Sequence, residues 1–125
     1  MEYVKSFRDL EVYKLSRQLS GEIFEVTKKF PKEEMYSLTD QIRRSSRSVG
    51  TQIAEAWAKR KYEKHFISKL TEADGEQLET QHWIETAFDC SYLSKEISND
   101  FLSKYSSVGK MLSSMMSKAE SFCNR

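Results

Sequence analysis

Apolar residues recur every three or four positions along most of this chain, which is the spacing of one face of an α-helix. Val12, Leu15, Leu19, Ile23, Val26 and Phe30 form the first stripe, and Tyr13 and Phe24 widen it. Ser6 or Asp9 suits its start, because either side chain accepts a hydrogen bond from an amide left free in a first helical turn. Pro31 ends it by disfavouring helical geometry at Phe30. A second stripe joins Met35, Leu38, Ile42, Val49, Ile53 and Ala56, and a third joins Phe66, Leu70, Ala73, Gln77, Ile84 and Phe88. The fourth follows Ser94, a good N-cap, and runs through Ile97, Phe101, Tyr105, Val108, Leu112, Met115, Ala119 and Phe122. The expected helices span about 9–29, 36–58, 63–89 and 95–122.

The breaks between these stripes are only a few residues long, so consecutive helices must lie side by side and antiparallel. The expectation is an all-α fold: one up-down-up-down four-helix bundle occupying residues 1–125 as a single domain. Four glycines and one proline leave little punctuation for a strand-and-turn fold. No stretch approaches the roughly 20 apolar residues of a membrane span. The first residues are charged too early for a signal-peptide apolar region, so the expected compartment is the cytoplasm. Cys90 and Cys123 have no metal-ligand spacing and read as reduced thiols.

The side of the second helix opposite its stripe carries two features. Arg43, Arg44 and Arg47 cluster there, followed by the small residues Gly50, Thr51, Ala54 and Ala58. A helix that only coats a monomer has no need of a small outer face, so this one is expected to pack on two sides. Charge is segregated to match. The chain carries +1 overall, but residues 41–64 net +5 and residues 65–100 net −6. Arg43, Arg44, Arg47, Lys59, Arg60, Lys61 and Lys64 form a basic band suited either to phosphate or to carboxylates of a neighbouring subunit. Glu72, Glu76 and Glu79, together on one flank of the third helix beside Trp83, are the acidic partners expected for the second case. Solvated helix faces are the plain alternative. Trp57 and Trp83 are candidates for anchors in a contact between copies, with core packing as the ordinary alternative.

Catalytic patterns fail on inventory. Glu79-x-x-His82 spells a di-metal half-site, but the other histidine, His65, is preceded at that spacing by Tyr62. The two histidines share one helix with no triad spacing, and no glycine-rich phosphate loop is present. The expectation is no enzyme, no cofactor, no metal and no small-molecule substrate.

The series Phe7-Arg8-Asp9-Leu10, Val12-Tyr13, Phe30-Pro31, Glu34-x-Tyr36, Gln41-x-Arg43-Arg44-Ser45, Ser48-Val49, Ile53-Ala54-Glu55, Lys69-Leu70 and Glu79-Thr80-Gln81-x-Trp83 resembles the bacterial four helix bundle protein family. That family includes proteins encoded in intervening sequences of large-subunit ribosomal RNA genes, and accessory variability proteins of diversity-generating retroelements. The resemblance runs from residue 7 to the end of the fourth helix. It implies a left-handed bundle assembling as a ring-like homopentamer. It also implies an alternative role, as an accessory factor that binds RNA or DNA and a reverse transcriptase through basic surfaces. Where the family pattern places two glycines, this chain has Ala56 and Ala58, which keep the positions small.

Overall fold

A computed structural model describes residues 4–123, so the extreme ends of the expected 1–125 domain lie outside the described residues. The fold is all-α, with no strand among the described residues. Four long helices follow one another: α1 (Glu11–Thr27), α2 (Leu38–Ala58), α3 (Glu63–Asp89) and α4 (Lys95–Ser117), with a short α5 (Ala119–Phe122) at the end. Each long helix packs against the next, and α1 also meets α4, though less extensively than any other neighbouring pair of long helices.

The core lies where the four stripes converge. Leu19 and Ile23 of α1, Ile42, Val49 and Ile53 of α2, Phe66, Leu70 and Ile84 of α3, and Tyr105, Val108 and Leu112 of α4 are fully buried. A buried hydroxyl pair ties α2 to α3, and a chain of side-chain amides runs along α3 beside it. Thr80 and Ser45 hydroxyls meet at 2.9 Å across α2 and α3. Gln81 Nε2 donates to Gln77 Oε1 at 2.8 Å, and Gln77 Nε2 donates to Asp74 Oδ1 at 3.0 Å. α4 comes close to this network at Gly109, where a Cβ would stand 2.8 Å from Gln77 Nε2.

The helix ends differ from the expected bounds in informative ways. Ser6 caps a 3₁₀ turn at Phe7–Asp9, accepting from the Arg8 amide at 3.2 Å, and α1 begins only after Leu10. A second 3₁₀ turn at Lys32–Glu34 delays α2 to Leu38, so Met35, expected in the stripe, is half exposed. Phe88 and Ile97 are also exposed, because the core-facing positions there are Ala87 and Ser98, one residue away and both buried. The fourth stripe breaks at Lys118, and its last turn becomes α5. Ser94 does cap α4, accepting from the Ile97 amide at 3.1 Å.

α3 ends without glycine. Ser91 holds φ at +65°, while the Ser91 amide donates to Phe88 O at 2.9 Å and the Tyr92 amide to Ala87 O at 2.8 Å. This is the left-handed helix stop that ordinarily takes glycine. Tyr92 then reaches the α1–α2 connection: its hydroxyl donates to Glu34 Oε2 at 2.9 Å, and its ring packs 5.3 Å from that of Phe30.

Candidate functional site

α2 divides two differently charged surfaces. Toward α1 it presents Arg43 and Arg47, four residues apart and so on one side of the helix. The Arg43 guanidinium lies 4.7 Å from the Phe24 ring centre, and that of Arg47 lies 5.5 Å away. Arg43 Nε also donates to Thr27 Oγ1 at 2.8 Å, and Thr27 in turn donates to Phe24 O at 3.0 Å. Arg43 is therefore spoken for by α1 and half-buried, whereas Arg47 remains exposed. Arg44 is exposed, with a long 3.8 Å pairing to Asp40 of its own helix.

The small residues continue this α1–α2 seam. A Cβ on Gly50 would stand 3.5 Å from Ser16 Oγ and 3.6 Å from Tyr13 Cε1, so Gly50 lies against α1 rather than on a free outer face. Gly50, Thr51 and Ala54 line a groove of about 360 Å³ with Tyr13, Arg17 and Arg47. Ala58 is exposed at the end of α2. There Arg60 stacks 3.6 Å over the half-buried Trp57 ring and donates from Nε to Trp57 O at 2.8 Å, which closes the helix end. Lys59, Lys61 and Lys64 are exposed around the α2–α3 turn, beside the exposed Tyr62.

Toward α3 the surface turns acidic. Lys69 sits between Glu55 of α2 at 3.0 Å and Glu72 at 3.1 Å, and both carboxylates hold its ammonium above its ordinary range. Glu79 accepts from Trp83 Nε1 at 3.0 Å, and Glu76 is half-buried one turn before Glu79. Among the described residues, no ion pair joins Arg43, Arg44 or Arg47 to Glu72, Glu76 or Glu79. The structure thus brings the three arginines to one helix and the three glutamates to another without pairing them.

Tyr13, Arg17, Phe24 and Thr27 of α1 complete the basic seam. Tyr13 and Phe24 stand on the shoulder of the first stripe, while Arg17 and Thr27 carry no apolar signal; the sign that joins them is the three- and four-residue spacing of Tyr13, Arg17, Ser20, Phe24 and Thr27 along one flank of α1. Among the described residues no group of three or more histidine, cysteine, aspartate or glutamate side chains is placed to hold a metal. No helix is long and apolar enough to cross a membrane.

Similarity to known proteins accords with this arrangement. A family model described as 23S rRNA-intervening sequence protein matches residues 8–114. The chain is similar to a crystal structure of a protein of unknown function from the S23 ribosomal protein family of Bacteroides thetaiotaomicron. The two are 27% identical, with a TM-score of 0.76, over 85% of this chain and 95% of that one. No curated protein matches.

Proposed function

Because the chain belongs to the 23S rRNA-intervening sequence protein family, we propose that its helices form an antiparallel, left-handed bundle that assembles with copies of itself. Its role is then that of a non-enzymatic module closing into a ring, a homopentamer by family resemblance. The family is not known to be catalytic, and the described residues carry no metal cluster.

The observation that carries this reading is the unmatched charge on either side of α2. Among the described residues, Arg17 and Arg47 line a groove on the α1 side with no ion-pair partner, and Glu76 and Glu79, both half-buried, lie on the α3 side with none. Each patch fits the other, but on a second molecule. Such head-to-tail contacts close into a ring only when the two patches meet at an angle. Light scattering after size exclusion tests the reading through the mass in solution. Reversal of Arg47 to glutamate should weaken assembly, and adding Glu76→Arg in the same chain should partly restore it.

A second reading rests on Lys59, Lys61 and Lys64, exposed beside Tyr62. A ring would gather several copies of this basic turn on one rim, where RNA or DNA could bind by phosphate contacts and an accessory role beside a reverse transcriptase would follow. Tight binding of a fluorescent oligonucleotide that falls steeply with salt, and is lost in Lys61→Glu/Lys64→Glu, would favour it.

A further inference from the structure

The seam between α1 and α4 is the least closed in the fold, and it holds a groove of about 620 Å³. Val26, Ile97 and Phe101 give it an apolar lining, and Ile97 is 43% exposed. Gly21 leaves one wall open, since a Cβ there would meet nothing within 4 Å. Glu22, Glu25, Glu96 and Asp100 form the rim. Two cations answer part of this rim: Lys104, across the seam, lies 2.9 Å from Asp100 and 4.0 Å from Glu22, and Lys28 lies 3.0 Å from Glu25. Along α1 the lining runs from Gln18 to Val26, about 12 Å or two helical turns.

We propose that this groove is a docking site for a basic amphipathic helix of another protein, apolar residues inserted against Ile97 and lysines or arginines meeting the four carboxylates. Groove length, apolar lining and acidic rim together match an incoming helix with anchors three and four residues apart. Charge complementarity sets the sign of the partner. A second copy of this chain is a poor fit. Its other exposed large apolar residues are Val4, Met35, Tyr36, Tyr62, Leu78 and Phe88. Leu78 and Phe88 sit on α3 among Asp74, Glu85 and Asp89, which the rim would repel, and the others lie before or between the long helices.

The test uses the intact protein and a fluorescein-labelled helical peptide of about 14 residues, with leucines spaced by three and four and lysines elsewhere. An otherwise identical peptide carries glutamates in place of the lysines. Anisotropy should show the lysine peptide binding at least about tenfold more tightly than the glutamate peptide, and more weakly as salt rises. Hydrogen exchange should show protection centred on residues 18–26 and 96–101. Ile97→Lys, at an exposed position, should weaken binding about tenfold, and Lys104→Met, which frees Glu22 and Asp100, should strengthen it severalfold. Equal binding of both peptides, protection centred on the acidic flank of α3, or insensitivity to both substitutions would overturn the proposal. So would a change in the protein's own mass in Ile97→Lys, because the groove would then be a contact between copies.

Discussion

Replacing Tyr105 with phenylalanine should stabilise this protein. Tyr105 is fully buried, and its hydroxyl has no hydrogen-bond partner among the described residues. A hydroxyl taken from water into an apolar interior without a partner costs roughly 1–3 kcal/mol, whereas removing it while keeping the ring leaves the packing intact. The expected gain is therefore about 1 kcal/mol, which for a domain of this size raises Tm by about 3–5 °C. Urea unfolding followed by circular dichroism measures it directly, with an unchanged m-value showing that the unfolded state is not at issue. The same substitution should alter the alkaline limb. Burial, and secondarily the charge of Glu22, push the Tyr105 phenol well above its ordinary 10.0. A phenol that ionises more readily when unfolded supports the fold below pH 10 and withdraws that support as the pH climbs beyond it. The phenylalanine variant should therefore lose less stability above pH 10 than the parent. A loss of 0.5 kcal/mol or more at neutral pH would refute the reasoning, because it would mean that the hydroxyl is satisfied and contributes.

Two further substitutions test the helix ends. Ser91→Gly should stabilise by about 1 kcal/mol, since a left-handed φ of +65° costs a serine and not a glycine; a thermal midpoint that falls or stays put would contradict the assigned helix stop. Tyr92 should ionise at about 12 in a phenolate absorbance titration, raised first by its bond to Glu34 and next by partial burial. Glu34→Gln should bring that value back toward 10.0. Its carboxyl is itself held below the ordinary range, mainly by Ser37 and then Tyr92, so the support it gives is present at neutral pH and is lost as the pH falls through 4.5 and below. An unshifted Tyr92 in the variant would show that the two loops are not tied in solution.

The helices were legible because each is long and its stripe regular. α3 runs from Glu63 to Asp89 as the periodicity requires, and α2 ends at Ala58 as expected. The ends were less legible. Met35 keeps the phase of the second stripe, yet the 3₁₀ turn before it belongs to the connection, where Glu34 serves the Ser37 hydroxyl and the Leu38 amide instead of continuing a helix. The stripe fails at Phe88 and Ile97 on phase: Ala87 and Ser98, one position away, take the buried places, and their small side chains hide that in a hydrophobic pattern.

The surface was harder to read. An angle measured from the core stripe locates the arginines and Gly50 away from the centre of the fold, but not which neighbour they meet. Gly50 proves to touch Tyr13 and Ser16, and Arg43 proves to rest on Phe24 and Thr27. Those contacts depend on which flank of α1 faces α2, a property of the packed pair that neither helix carries alone. The same holds for Lys69, which joins Glu55 of α2 to Glu72 of its own helix.

The mass of the protein in solution tests the central claim most directly. Multi-angle light scattering at micromolar concentration should give about 74 kDa, five chains of 14.7 kDa each. Arg17→Glu/Arg47→Glu, at two exposed positions, should shift it toward one chain without loss of helix content, and adding Glu76→Arg/Glu79→Arg should recover the larger species. A parent protein that stays at 14.7 kDa, or forms a two-fold dimer indifferent to these reversals, would contradict the account.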